Sequence, residues 1–201
     1  MNKKVIALYG GSFNPPSNSH FSLAQEIIRK YNEIEKLIFM PVNSKYNKKG
    51  LIDNEHRYNM LKLLCAKSSK FEVSRIEIDK LRQLHTIETL EILEKIYPEH
   101  SMWFIIGTDN LKELNTWSMQ EELLKKYKVL VLERNLDNME EIIENDDVLK
   151  KYKDSFIKVN NLRNNLSSSV VREKIRKKEN IKELVSIEIE QYIKENNLYT
   201  C

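Results

Sequence analysis

Residues 5–20 read VIALYGGSFNPPSNSH, and the predicted architecture is built around them. The non-polar run at positions 5–9 predicts a strand that is covered on both faces, as in a parallel sheet. The strand stops at Gly10-Gly11, a proline-containing loop follows, and apolar residues recur at helical spacing from His20 onward. A strand, a glycine turn and a helix N-terminus together offer backbone N–H groups to a phosphate. We therefore predict a phosphate site here.

The rest of the chain alternates predicted strands with predicted helices. Apolar runs read as strands at 36–40, 71–74, 102–106, 128–132 and 156–159. Helical patterns cover 54–65, 85–97, 118–127 and 181–196, and a basic helix starts at 167–169. Asn54 is a predicted N-cap, and Ser118 with Glu121 is a predicted capping box. The alternation predicts an α/β fold with a five- to six-stranded, mainly parallel sheet flanked by helices. The loops after the first, second and fourth strands then share the sheet edge where ligands bind.

Composition narrows the class of protein. The chain has 201 residues and a net charge of +3. This mild charge does not suggest a nucleic-acid binder, which would show a concentrated basic face. We expect no membrane span, because no apolar run approaches the ~18 residues that one needs. The two cysteines, Cys65 and Cys201, form no disulfide or metal pattern. We expect a cytoplasmic protein with no protein-held metal.

Common nucleotide and hydrolase motifs are missing. The sequence contains no Walker A motif, no G-x-G-x-x-G and no G-x-S-x-G. P-loop hydrolases, dinucleotide-binding dehydrogenases and α/β-hydrolases are therefore not first choices.

Two constellations could bind phosphate, and each has a structural alternative. His20 is either a capping or core histidine, or a donor of Nε2–H to an anionic oxygen. The run 167–172, SSSVVR, is either a serine cap with Arg172 on a solvated face, or a grip for a polyphosphate through cap hydroxyls, backbone N–H groups and arginine.

Three further residues lie in the candidate loops. Lys48, beside Lys49 and Gly50, is either a solvated cation or a phosphate clamp. Trp117 either packs in the core or stacks on a heteroaromatic ring. Asp109 either caps the helix that it begins, or binds a ribose hydroxyl or a metal.

In combination these motifs resemble the nucleotidyltransferase superfamily, and within it the nicotinate/nicotinamide mononucleotide adenylyltransferases. The stretch Gly11-Ser12-Phe13-Asn14-Pro15, followed by Ser17 to His20, is similar to the family's G-x-F-x-P and [H/T]-x-G-H signature. Ser17 stands where the family has His or Thr, and Ser19 where Gly is usual. Further likeness lies in 41–51 with His56-Arg57, in 86–90, in 106–111 with Trp117, in 167–172 and in 192–199.

The resemblance implies a Rossmann-like fold in a single domain spanning 1–201. Residues 1–160 would form the nucleotide-binding core, and 161–201 would add C-terminal helices that complete the ATP site. The implied reaction is attack of the mononucleotide 5′-phosphate on the α-phosphorus of ATP, which gives a dinucleotide and pyrophosphate. Positioning and charge neutralisation do the work, without a covalent nucleophile.

The resemblance also implies the role of each residue. His20 would stabilise the α-phosphate oxygen, and Arg172 with Ser168 would hold the β- and γ-phosphates. Lys48 would hold a phosphate, Asp109 a ribose hydroxyl, and Mg²⁺ would arrive with ATP. The remaining implied contacts to mononucleotide and ATP are Gly10, Gly11, Ser12, Phe13, Ser17, Thr86, Gly107 and Trp117, of which Thr86 and Trp117 would contact the pyridine ring.

Substrate identity is left partly open. Nicotinate mononucleotide is favoured over nicotinamide mononucleotide, because the stretches at Thr86 and at 107–109 are of the bacterial kind. The alternatives are phosphopantetheine adenylyltransferase, which shares the first motif, and a catalytically silent nucleotide sensor in which Ser17 marks a decayed site. Whether the chain forms a homo-oligomer also stays open.

Overall fold

The computed structural model describes residues 3–45, 50–133, 137–159 and 168–200. The described strands are β1 (Val5–Gly11), β2 (Ile34–Pro41), β3 (Phe71–Val73), β4 (Ser101–Gly107), β5 (Lys128–Leu132) and β6 (Phe156–Val159). The described helices are α1 (Asn18–Lys30), α2 (Asn54–Cys65), α3 (Thr86–Ile96), α4 (Thr108–Leu111), α5 (Gln120–Lys126), α6 (Met139–Glu144), α7 (Asp147–Lys151), α8 (Ser168–Arg176) and α9 (Ile187–Glu195), with short 3₁₀ turns at Leu114–Thr116 and Lys153–Ser155.

The six described strands form one parallel sheet in the order β3-β2-β1-β4-β5-β6. The chain therefore builds outward from β1 on one side, then returns to β4 and builds outward on the other. The carboxyl ends of β1 and β4 flank the point where the strand order reverses, which is where such sheets bind ligands. The predicted fold class, a Rossmann-like α/β sheet, is confirmed, and the sheet is parallel throughout.

The alternation of β1 explains why its apolar run is continuous. Val5, Ala7 and Tyr9 belong to one buried cluster, which also contains residues of α1, α2, α8 and α9. Ile6 and Leu8 point to the other face and join residues of α3 and α5. Because helices cover both faces, neither set of side chains meets water.

Three predicted helix starts are wrong. Asp53, not Asn54, caps α2, because its carboxylate accepts the backbone N–H of Glu55 at 2.8 Å. The proposed Ser118 capping box is absent, since Met119 precedes α5 in a left-handed conformation with φ of 58°.

The last helix also starts later than the predicted position 181. Ile181, Leu184 and Val185 are buried in a turn, and α9 begins only after Ser186, whose hydroxyl caps it.

Candidate active site

A cleft of about 460 Å³ lies at the carboxyl edge of the sheet, where β1 and β4 end. It brings together five of the predicted residues: Gly10, Gly11, Ser12, Thr86 and Trp117. They come from the β1 end, the first residue of α3 and the loop before α5. The cleft is lined in addition by Leu8, Val42, Glu77, Gln83, Leu84, His85, Phe104, Ile105, Ile106, Asn110 and Ser118.

The two glycines at the end of β1 serve different purposes. A Cβ atom on Gly10 would meet nothing within 4 Å, so the missing side chain keeps this part of the cleft open. A Cβ atom on Gly11 would lie 3.1 Å from the ring of Phe13. Phe13 itself is 2% exposed and has a φ of 44°, and its buried ring packs against the backbone at Gly11.

His20 is held by the residue that caps its helix. The backbone N–H of Ser17 donates to His20 Nδ1 at 3.0 Å, and the Ser17 hydroxyl lies 2.8 Å from the same nitrogen. A backbone N–H is always a donor, so Nδ1 must be an acceptor and the ring proton sits on Nε2. The capping role and the donor role are therefore compatible, because capping fixes the tautomer that donation requires.

Ser17 is only 1% exposed. Its hydroxyl is engaged by the imidazole of His20, and the Phe13 ring packs edge-on at 5.1 Å from the same imidazole. A direct contact between the Ser17 side chain and a nucleotide does not fit this burial. The geometry instead makes Ser17 a positioning residue for His20.

The first turn of α8 docks onto the loop between β1 and α1. Ser168 Oγ donates to the carbonyl of Pro15 at 2.8 Å, and Arg172 Nη1 donates to the carbonyl of Asn14 at 2.7 Å. Arg172 is half-buried, so of the two alternatives the one that places it on a solvated face does not fit the structure. These two side chains tie a C-terminal helix to the same loop that carries the first motif.

The remaining predicted residues lie apart from the cleft lining. Gly107 is buried and precedes α4, and Asp109 is exposed in the first turn of that helix. It is the neighbouring Asn110 that lines the cleft. Lys48 lies outside the described residues.

Arg57 is the main residue that sequence reasoning left without a role. Its side chain is 0% exposed and donates to three carbonyls and one amide oxygen: those of Ser12 (2.9 Å), Val42 (2.6 Å), Ile52 (3.2 Å) and Asn54 (2.6 Å). It thus joins the loop after β1 to the loop after β2. Burial lowers the pKa of Arg57, although a guanidinium stays charged. The sequence offered one signal that Arg57 is buried, its helical spacing to the apolar residues Met60, Leu61 and Leu64.

A second buried network reaches the C-terminal segment. The Asn14 amide donates to the carbonyl of Gly50 at 2.7 Å and accepts from the Tyr199 hydroxyl at 3.0 Å. Burial raises the pKa of Tyr199 well above its usual range. The first loop is therefore held from three directions, by α2, by α8 and by the end of the chain.

Within the described ranges, no three His, Cys, Asp or Glu side chains are grouped to hold a metal ion. In the same ranges, no helix is long and apolar enough to cross a membrane.

A family model described as cytidylyltransferase-like matches residues 8–174. The match contains the second half of β1, the loop that follows it, the cleft and most of α8. The chain belongs to this family and is a nucleotidyltransferase.

Curated relatives narrow the assignment. Proteins named "probable nicotinate-nucleotide adenylyltransferase" include one from Carboxydothermus hydrogenoformans, 35% identical over 196 residues, which covers 96% of this chain and 97% of that protein. Another from Clostridium acetobutylicum is 34% identical over 199 residues and covers 98% of this chain and 99% of that protein. Within the larger family, the chain therefore belongs to the nicotinate-nucleotide adenylyltransferases.

Solved structures share the fold. The nicotinic acid mononucleotide adenylyltransferase of Plasmodium falciparum complexed with NaAD superposes with a TM-score of 0.78 at 22% identity, covering 98% of this chain and 97% of that one. The same protein complexed with APC gives a TM-score of 0.77 at 23% identity, with the same coverage.

Proposed function

We propose that this chain transfers AMP from ATP to the 5′-phosphate of nicotinate mononucleotide, with nicotinamide mononucleotide as the poorer substrate. The observation that carries the proposal is the meeting of Gly10, Thr86 and Trp117 in one cleft, beside the loop that presents His20. The names of the relatives and the NaAD complex of the Plasmodium protein support nicotinate as the preferred base.

The chemistry needs little from the protein beyond placement and charge. A mononucleotide phosphate oxygen forms a bond to the α-phosphorus of ATP, and the bond from that phosphorus to the bridging oxygen breaks. Pyrophosphate leaves with the electron pair. The attacking phosphate is already an anion, so no general base is required, and positioning with electrostatic stabilisation supplies the rate.

His20 is the donor in this proposal. Its Nε2–H would bond an α-phosphate oxygen as negative charge builds, and the Ser17 contact to Nδ1 keeps the proton on the correct nitrogen. Ser17 would act through His20 and not on the nucleotide.

The polyphosphate of ATP would lie against the first turn of α8. Arg172 donates one N–H to the carbonyl of Asn14. A guanidinium has five N–H donors, so the remaining four suit the β- and γ-phosphates. Ser168 would contribute from the same turn. Lys48 is proposed to hold a phosphate, and Mg²⁺ would enter as part of the MgATP substrate.

The mononucleotide would occupy the cleft itself. Gly10, Gly11 and Ser12 would offer backbone contacts, and Thr86 would meet the pyridine ring on which Trp117 stacks. Phe13 and Gly107 would shape the backbone near the nucleotides, and Asp109 would accept from a ribose hydroxyl.

Replacing Trp117 by alanine tests where the mononucleotide binds. Base stacking on an aromatic residue is worth about 1–3 kcal/mol, so we expect the KM for the mononucleotide to rise roughly ten- to hundredfold. The KM for ATP should change little, and Trp117→Phe should keep most of the affinity. Steady-state kinetics with each substrate varied in turn would measure this. Equal increases in both KM values, or none, would contradict the proposed binding site.

A further inference from the structure

Asn14 is a buried polar junction in the loop between β1 and α1, and only 3% of its surface is exposed. Its side-chain NH₂ group donates to the carbonyl of Gly50 at 2.7 Å. Its side-chain oxygen accepts the hydroxyl of Tyr199 at 3.0 Å and the backbone N–H of Ile52 at 3.4 Å. Because a carbonyl only accepts and a backbone N–H only donates, these partners fix the direction in which the amide faces.

The main chain of the same residue holds Arg172. The carbonyl of Asn14 accepts a hydrogen bond from Arg172 Nη1 at 2.7 Å. The guanidinium is planar and rigid, so a bond to one N–H also orients its remaining donors. Because the anchored amide and the carbonyl belong to one residue, holding the side chain of Asn14 restrains the carbonyl that meets Arg172.

Tyr199 reaches this junction from the end of the chain in an uncommon backbone conformation. Its φ is 64°, in the left-handed region that bulky residues rarely adopt. Such a conformation persists only where the surrounding contacts hold it, and it is typical of functional sites. The buried cluster that contains Tyr199 also contains Val171 of α8, the neighbour of Arg172. The packing of Tyr199 is therefore continuous with the helix that carries Arg172.

The hydroxyl of Tyr199 is a donor throughout the neutral pH range. Burial raises the pKa of this phenol well above its usual range, while the positive charges of Arg172 and Arg57 act in the opposite direction. The hydroxyl therefore keeps its proton and donates it to Asn14.

We propose that Tyr199 is a positioning residue for the triphosphate of ATP, and that it acts through Asn14 to set where Arg172 presents its remaining N–H donors. This inference rests on the proposed function and deepens it, because it names a residue that acts on the β- and γ-phosphates without touching them. Tyr199 lies 185 positions from Asn14 in the sequence, so the end of the chain would contribute to nucleotide binding.

Tyr199→Phe tests this role, because it keeps the buried ring and removes only the hydroxyl. Losing one hydrogen bond that positions a cation should raise the dissociation constant of MgATP about fivefold. The dissociation constant of AMP should be nearly unchanged, since AMP lacks the two phosphates that Arg172 would hold. Isothermal titration calorimetry of the full chain with each nucleotide measures both constants.

A double substitution shows whether Tyr199 acts through Arg172. Arg172→Ala alone removes the guanidinium and should weaken MgATP binding about tenfold or more. Adding Tyr199→Phe should cause no further loss, because positioning has no effect once the positioned group is gone. Two independent roles would give losses that multiply.

Tyr192→Phe is the matched control. It also removes a tyrosine hydroxyl near the end of the chain, one that lies 3.0 Å from His56 Nδ1 and accepts from Asn59 Nδ2 at 3.3 Å. These contacts join α9 to α2, and none of the three residues lines the cleft. Tyr192→Phe should lower the melting temperature about as much as Tyr199→Phe does, yet leave both dissociation constants unchanged.

Unchanged MgATP binding by Tyr199→Phe, or an equal loss of AMP binding, would overturn the inference. Multiplied losses in the double variant, or the same loss of MgATP affinity in Tyr192→Phe, would overturn it as well. If the unsubstituted chain binds MgATP but transfers no AMP, the proposed function has failed. AMP transfer by a Tyr199→Phe variant with normal MgATP affinity removes only the role of Tyr199.

Discussion

Replacing His20 by alanine is expected to lower kcat about 10²- to 10³-fold, the usual effect of removing one preorganised donor from a developing oxyanion. The KM values for both substrates should change much less, because the bond to the α-phosphate strengthens only in the transition state. The loss should be catalytic and not structural. His20 is half-exposed, and its imidazole is held by Ser17, the residue that caps α1.

Ser17→Ala is the informative companion to that variant. It removes the hydroxyl beside Nδ1 but keeps the backbone N–H that sets the tautomer. We expect kcat to fall roughly tenfold. We also expect the free energy of unfolding to fall by about 1 kcal/mol, the typical cost of losing a helix cap.

His100→Ala is the control for the histidine series. This residue pairs with Glu35 at 3.2 Å and does not line the cleft, so its replacement should leave kcat nearly unchanged. Initial rates and thermal melts of the three variants would separate catalysis from folding. A His20→Ala variant with near-normal turnover would remove His20 from the mechanism.

Replacing Arg57 by alanine is expected to lower the free energy of unfolding by about 3–5 kcal/mol. The substitution leaves buried acceptors without donors, each at a cost of about 1–3 kcal/mol, and opens a cavity in place of a fully buried side chain. For a domain stabilised by about 5–15 kcal/mol, this is a large fraction of the total.

Arg57→Lys tests whether geometry or charge matters. A lysine ammonium has three donors on a flexible stem and cannot span the carbonyls of Ser12 and Val42 as a planar fork does. We therefore expect Lys to recover less than half of the loss.

Arg29→Ala is the control for the arginine series. It removes an exposed arginine paired with Glu26 and should cost less than about 1 kcal/mol. Urea unfolding followed by circular dichroism would measure all three variants. Equal stability of Arg57→Ala and Arg29→Ala would show that the buried network does not hold the two loops together.

Much of the fold follows from local patterns. The apolar run of β1, the glycines after it and the helix that follows are adjacent in sequence, so periodicity and turn chemistry predict them together. The same holds for the other five strands, and alternation with helices gives the parallel arrangement. The prediction that a cleft lies at the carboxyl edge of the sheet was correct, because the carboxyl ends of all parallel strands meet at that edge.

What the sequence did not reveal depends on contacts between distant residues. Arg57 meets Ser12 and Val42 only after the loops have folded, and Tyr199 reaches Asn14 across most of the chain. Glu77 lines the cleft but was not among the predicted residues, because the loop after the third strand was not counted with the others, although β3 ends at the same edge.

The predictions of helix starts were wrong for a local reason. Several polar residues in a row can each cap, and backbone conformation chooses among them. Asp53 was selected over Asn54, whose side chain instead accepts from Ser44 and Arg57. Met119 adopts a left-handed conformation that its residue type does not predict.

Product analysis of one reaction mixture tests the proposed AMP transfer directly. The chain is incubated with MgATP and nicotinate mononucleotide, and pyrophosphate and dinucleotide are quantified over time, with phosphopantetheine in a parallel mixture. We expect pyrophosphate and nicotinate adenine dinucleotide in equal amounts, with no product from phosphopantetheine. Tight ATP binding without pyrophosphate release, or adenylation of phosphopantetheine alone, would contradict the proposed function.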